Sequence, residues 1–176
     1  MIEVYDNLLD KNIADQISRE MSSLKWQFEH YSTSNVFKPN IHWHIPCGDS
    51  LNNVKDMGYD DIIFPIWEAA IKKVKNVNVR RVYMNAHTHG MEPHIHRDDG
   101  DLTMIYYPRM SWKMEWGGGT SVYDNDDETE ILRHVPYVGN RLLTFDANLP
   151  HQAMPVARIC YYLRSVIVFK CDVNKI

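Results

Sequence analysis

Beyond residue 78 the chain breaks into short runs of β-branched and aromatic residues punctuated by Gly, Asn, Asp and Pro, and this cadence restricts the folds open to it. Such runs fall at about 79–85, 94–98, 102–107, 119–123, 131–135, 140–146, 151–155 and 160–170. Many short, evenly spaced strands predict a sandwich or barrel, because closure or stacking removes the exposed edges. Two amphipathic patterns precede them. Ile13, Ile17, Met21 and Leu24 recur at helical spacing behind Asp10, a capping residue, so a helix is expected over about 11–24. A second is expected over about 60–75, with Ile63, Ile66, Trp67, Ala70, Ile71 and Val74 on one side and Pro65 in its first turn, where a missing N–H is tolerated. The intervening "HYSTSNVFKPNIHWHIPCGDS" is polar, aromatic and Pro-containing, and reads as loop or short extended pieces.

The expected class is therefore α+β, mainly β: a jelly roll flanked by N-terminal helices. A chain of 176 residues suits a single domain over 1–176, with a helical flank to about 78 and a β core over about 79–170. A formal charge of −4 gives no electrostatic reason to expect nucleic acid or an anionic membrane as partner. The first residues lack the features of a signal peptide, and no run approaches the ~20 apolar residues of a membrane span, so a cytoplasmic location is expected. Cys47, Cys160 and Cys171 are odd in number and widely spaced, which points to core filling rather than to a disulfide framework or thiolate zinc site.

Chemistry concentrates in "HTHGMEPHIHRDDG", His87 to Gly100. If 94–98 is extended, His94, His96 and Asp98 share one face. Two histidines and one carboxylate form the facial triad that binds Fe(II) and leaves positions open, and a third ligand from a distant strand would complete it. His151, opening "HQAMPV" after the strand-like "NRLLTFDAN", is the candidate. On its own, His-x-Asp is equally compatible with a solvated turn in which Asp98, Asp99 and Asp101 cap backbone groups. Arg164 lies in the apolar "CYYLRSVIVFK". On the inner face its planar fork would hold a carboxylate; on the outer face it would sit beside Lys170, and alternation alone does not choose.

Taken together, these segments resemble the Fe(II)/2-oxoglutarate-dependent dioxygenases, in particular the prolyl 4-hydroxylase-like branch with its double-stranded β-helix. The resemblance rests on "RRVYMNAHTHG", "HRD" at 96–98, "LTMIYYP" at 102–108, "WGGGTSVYD" at 116–124, "GNRLLTF" at 139–145, "HQAMPV" at 151–156 and "RICYYLRSVIVF" at 158–169, in the family's order over roughly 79–170. It implies that His96, Asp98 and His151 bind iron, that Arg164 pairs with the far carboxylate of 2-oxoglutarate, that Tyr107 helps hold that carboxylate, and that Tyr83 lines the pocket. An ordinary half-buried strand aromatic is an equal reading of Tyr83. The implied cofactors are Fe(II), 2-oxoglutarate and O2, with ascorbate as accessory reductant. The implied reaction hydroxylates an unactivated C–H bond, most simply on a prolyl residue of a peptide or protein, and releases succinate and CO2. The segment between the two helices is then a candidate lid over an extended chain.

Gly119 stands where the family's turn usually has Glu, and Pro108 where Leu is usual; both bear on loop shape rather than on the ligands. Retention of Asp98 argues against the halogenating relatives. His87, His89 and His94 are left to the entrance or a solvated loop, and Trp112 and Trp116 to core packing. Three other readings compete: a small-molecule (free amino acid) hydroxylase of the same superfamily, a non-catalytic cupin-like binding protein, and a two-metal hydrolase of the His-x-His-x-Asp-His type. Asp99 occupies the place of the last motif's final histidine, and no Glu follows between Asp98 and Trp112 as a cupin motif requires.

Overall fold

The computed structural model describes residues 1–30, 41–126 and 129–174. Ten strands and three α-helices follow one another: β1 (Ile2–Tyr5), α1 (Lys11–Ser23), β2 (Gln27–His30), β3 (His42–Gly48), α2 (Leu51–Asp56), α3 (Asp60–Ala70), β4 (Val77–His87), β5 (Leu102–Tyr107), β6 (Thr120–Tyr123), β7 (Ile131–Val135), β8 (Arg141–Asp146), β9 (His151–Ala153) and β10 (Arg164–Val173). A seven-stranded sheet in the order β1-β8-β5-β10-β4-β3-β2 faces a three-stranded sheet, β7-β6-β9, and every pairing is antiparallel. This is the jelly roll expected from the strand cadence.

The helices cover the outer face of the large sheet. Asp10 caps α1 by accepting from the Asn12 N–H, and Ala14, Ile17 and Met21 are its buried stripe. Ile13, expected in that stripe, is 41% exposed, and Ala14 takes the inward position because it allows the close approach to the sheet. In α3 the inward residues are Ile62, Ile63, Ile66, Trp67 and Ala70, while Ile71 lies past the helix end and is partly exposed. Pro65 sits five residues inside α3 rather than in its first turn, so the Asp61 carbonyl lacks its usual intrahelical partner. These side chains meet Val82, Met84, Met104, Tyr106, Ile167 and Phe169. A second core lies between the sheets, formed by Ile105, Tyr107, Val122, Val135, Tyr137, Leu143, Phe145, Val166 and Val168. Strand β10 thus contributes to both cores, odd residues outward and even residues inward.

Two sequence expectations are corrected. Residues 94–98 form no strand; only His96 makes an isolated bridge, to His151. The flank before residue 78 is not solely helical, since β1, β2 and β3 belong to the large sheet. The segment read as loop or short extended pieces holds β3, and the short helix α2, for which no element was expected, begins just after it with Ser50 accepting from the Asn53 N–H as cap; residues 31–40 of the segment lie outside the described residues. Strand β3 alternates Trp43, Ile45 and Cys47, of which Ile45 and Cys47 are buried under the helices, with His42, His44 and Pro46 toward the sandwich, a short pattern easily lost beside the segment's two prolines and polar neighbours. Cys47, Cys160 and Cys171 are free and buried, as core filling requires. Among the described residues no helix is long and apolar enough to cross a membrane.

Asn140 fastens the N-terminal segment to this frame. It adopts a left-handed φ of 62° in the turn entering β8, a conformation Asn tolerates better than most residues. Its side-chain oxygen accepts from the Leu9 N–H at 2.9 Å and the Tyr106 hydroxyl at 3.1 Å, and its amide donates to the Leu9 carbonyl at 2.9 Å. The residue is buried, so Asn140→Ala leaves several polar groups without water or partner. Loss of about 3 kcal/mol of unfolding free energy is expected on urea denaturation.

Candidate functional site

Two reciprocal backbone hydrogen bonds build the site. The His96 N–H donates to the His151 carbonyl at 3.0 Å and the His151 N–H to the His96 carbonyl at 2.9 Å, while the Asp98 N–H donates to Ala147 at 2.9 Å. A non-strand segment is thereby pinned across the junction of β8 and β9. The imidazole ring centres of His96 and His151 are 4.3 Å apart, and His96, Asp98 and His151 bring ligand atoms within 4.8 Å of one another. Asp98 lies 3.7 Å from His96 Nε2 and 3.5 Å from His151 Nε2. Each ring points Nδ1 at a backbone carbonyl 3.0 Å away, His94 for His96 and Leu149 for His151. A carbonyl only accepts, so the proton sits on Nδ1 and Nε2 presents a lone pair, the tautomer a metal needs.

The carboxylate is oriented as firmly. Thr103 donates its hydroxyl to Asp98 at 2.7 Å, and the Lys170 ammonium lies 3.0 Å from the other oxygen. Burial works to raise the Asp98 carboxyl, but His151, Lys170, His96 and the Thr103 hydrogen bond outweigh it and hold the group below its ordinary value. Asp99 turns away from the cluster to Lys170 at 2.7 Å and Arg81 at 2.9 Å.

Arg164 opens β10 on the inner face, directly opposite His87 on β4. The outer-face alternative is ruled out, and Lys170, six residues on, shares the inner face with it. The guanidinium is 1% exposed. It donates to the carbonyls of Gly118 at 2.5 Å and Gly119 at 3.3 Å, to the Thr120 hydroxyl at 3.3 Å and toward His87 Nδ1 at 3.5 Å. The glycines make this possible. A Cβ on Gly118, which has φ +73°, would lie 3.1 Å from Arg164 Cγ, and one on Gly119 would lie 2.5 Å from the Val135 carbonyl. No side chain fits at 119 in this arrangement, which accounts for the departure from Glu there. Trp112 braces the turn by donating to the Gly117 carbonyl at 2.9 Å and stacking on Tyr137, and Trp116 is buried against Val156 and Cys160.

The cluster and Arg164 line one cavity of about 60 Å³. Between the charged ends Ile105, Val166 and Val168 give it one apolar wall. A wider cleft of about 410 Å³ adjoins it, sharing Tyr83, Asn85, His96 and Asp98 and adding Arg81, Arg97, Lys170, His30 and His44. Tyr83 lines both spaces. Tyr107 lies behind the wall and reaches the cavity only through Thr120, to whose hydroxyl it donates at 2.7 Å. His94 lines the cavity but stays outside the three-ligand cluster, and His89 is exposed. His87 does not stand at an entrance; it is buried beside Arg164 because β4 runs on to residue 87. Thr103, Thr120 and Lys170 carry no motif signal in the sequence. The alternation of β5 and β10 would have found Thr103 and Lys170 once one inward residue was known.

Comparison with known proteins agrees with this geometry. The family model described as the 2OG-Fe(II) oxygenase superfamily matches residues 77–169. The chain belongs to that superfamily. It is a 2-oxoglutarate-dependent dioxygenase, and the family uses Fe(II), 2-oxoglutarate and O2. Among solved structures it is similar to a prolyl hydroxylase from Trichoplax adhaerens in complex with a hypoxia inducible factor peptide fragment, at 17% identity and a TM-score of 0.62, covering 97% of this chain and 83% of that one. It is also similar to HygX from Streptomyces hygroscopicus with nickel and 2-oxoglutarate bound (11%, TM-score 0.62, covering 98% and 83%) and to a Pseudomonas putida prolyl-4-hydroxylase (12%, TM-score 0.58, covering 98% and 92%). Curated proteins give no match by sequence. The donor set of this oxygenase fits the family's metal: two imidazoles that present Nε2 and one carboxylate, grouped on one side of the cavity.

Burial pushes the His151 imidazole down to about 4, against the pull of Asp98, and drives His87 well below its ordinary value. The unfolded chain takes up protons at these histidines near pH 6.5, whereas folded His151 resists until near pH 4 and His87 is likewise held neutral by burial. Stability of the metal-free protein therefore falls as pH drops from about 6.5 toward 4, by about 3 kcal/mol from His151 alone. The urea midpoint should decline across that window; a flat profile would mean that His151 is solvated.

Proposed function

We propose that His96, Asp98 and His151 hold Fe(II), that Arg164 binds the distal carboxylate of 2-oxoglutarate, and that the enzyme hydroxylates an unactivated C–H bond on a prolyl residue of a peptide or protein. The observation that carries this reading is the single cavity with the three-ligand cluster at one end and a buried guanidinium at the other. Thr120 shares the carboxylate-binding end with Arg164, and Tyr107 acts there through Thr120, aiming its hydroxyl. Ile105, Val166 and Val168 exclude water from the middle of the cosubstrate. When bound, the metal supplies the redox chemistry that couples oxidative decarboxylation of 2-oxoglutarate to C–H hydroxylation, with ascorbate as accessory reductant. The protein contributes orientation, through the carbonyl-locked imidazoles and the Thr103 and Lys170 contacts to Asp98.

A peptide substrate is favoured by the adjoining cleft. At about 410 Å³ it falls in the range of pockets that take drug-sized ligands, more than one amino acid needs, and it opens directly on His96 and Asp98. The full chain is proposed to act as a single domain, with β1 to β3 extending the catalytic sheet.

An anaerobic titration with Fe(II) and 2-oxoglutarate, followed by the metal-to-ligand charge-transfer band, tests the site. The wild-type band should be lost in His151→Ala. In Arg164→Ala it should need about a hundredfold more 2-oxoglutarate, the cost of removing a buried charged hydrogen-bond donor. A band absent from the wild type, or unchanged in both variants, would overturn the assignment. A peptide array scored for a mass gain of one oxygen, run beside free amino acids, tests the substrate class; turnover of free amino acids alone would replace the peptide reading.

A further inference from the structure

We propose that His30, His42 and His44 form a second metal site, taking a divalent transition ion such as zinc, cobalt, nickel or copper, on the wall of the cleft that leads to the first. The three side chains converge by register. His30 on β2 is the cross-strand partner of His42 on β3, and His44, two residues on, shares the face of His42. Their ligand nitrogens all lie within 4.8 Å of one another. A tetrahedral centre with zinc–imidazole bonds near 2.1 Å needs nitrogens roughly 3.4 Å apart, so closing on an ion takes on the order of an ångström of movement. His30 can supply it. It is exposed and sits on a four-residue strand at the sheet edge, where a rotamer change disturbs no core contact.

His44 is already oriented to bind. Its Nδ1 donates to the side-chain oxygen of Asn85 at 2.7 Å, which leaves Nε2 with its lone pair. His30 stacks on it with ring centres 3.8 Å apart, and His42 meets His30 edge-on at 5.1 Å. Three imidazoles without a carboxylate form a donor set for borderline transition ions rather than for calcium or magnesium. The opposing charge is Arg81, which faces His30 and His44. It is engaged by Asp99 at 2.9 Å, and Lys170 by Asp98 and Asp99, so the field against a dication is reduced. His30 and His44 line the cleft, so a fourth position of the ion would be open to water or to a carboxylate or carbonyl of an incoming molecule. The two sites share no ligand, although His42 and His96 line the same cavity.

Equilibrium dialysis of the full chain against Co(II), with elemental counting of bound metal, tests the proposal independently of the iron assignment. Two equivalents are expected for the wild type, one for His44→Ala, one for His30→Ala, and none for the His44→Ala/His96→Ala double variant. Asn85→Ala should weaken the second equivalent by about tenfold to a hundredfold, because the imidazole it orients is released. A wild type that binds one equivalent and loses it in His96→Ala overturns the second site, as does retention of two equivalents in both His30→Ala and His44→Ala. Should His44→Ala fail to fold, the exposed His30 decides the matter.

Discussion

The geometry of the candidate site depends on a pair of backbone hydrogen bonds, the mutual exchange between His96 and His151. Residues 94–98 belong to no strand, so nothing else in the chain's regular structure fixes the distance between these two imidazoles. The exchange ties the loop to β9 of the small sheet, and the Asp98 N–H bond to Ala147 ties it to the end of β8 of the large one. A ligand set assembled in this way straddles the seam of the sandwich. Its spacing is therefore set by the packing of the inter-sheet core as well as by local sequence, and the site inherits the rigidity of both layers.

The even-numbered face of β10 carries the other half of the arrangement. Arg164, Val166, Val168 and Lys170 point inward in sequence, a cation at each end of an apolar pair. The two cations have different company. Lys170 is neutralised by Asp98 and Asp99, so it behaves as part of the His96–Asp98–His151 network and helps keep the buried carboxylate ionised. Arg164 is met by carbonyls, a hydroxyl and a neutral imidazole. The same strand thus sets up a balanced end and an unbalanced end, with the two valines between them.

The sequence was most informative where periodicity and motif agreed. Strands β5 and β7 match their expected spans, and the helix over 11–24 is present within a residue, because apolar spacing and turn residues there point to one conformation. The face of Arg164 was not readable, since β10 is buried on both sides and alternation vanishes in such a strand. His94, His96 and Asp98 were expected on one face of a strand; the grouping of His96 with Asp98 arises instead from a loop held by long-range hydrogen bonds. The histidines of β3 fell in a segment read as loop or short extended pieces, because its Pro and polar residues mask the short Trp43, Ile45, Cys47 alternation. Their place beside the cavity depends on β3 pairing with β4, a long-range pairing that no local pattern encodes.

A buried guanidinium without a carboxylate is the feature that packing alone does not justify. Among the described residues no acidic side chain pairs with Arg164, and burial acts to weaken its hold on the proton. Leaving a charge in such a place costs several kcal/mol unless a counter-charge arrives. The carbonyls of Gly118 and Gly119 and the Thr120 hydroxyl recover part of that cost; the absence of a side chain at 118 lets the turn lie against Arg164, and its absence at 119 lets the same turn close onto β7. A hydrophobic residue would fill the position more stably. Arginine there makes sense under the proposed role, in which a ligand carboxylate completes the pairing; that end of the cavity would then be preorganised at the expense of the ligand-free fold, and affinity for a dicarboxylate would draw on that deficit.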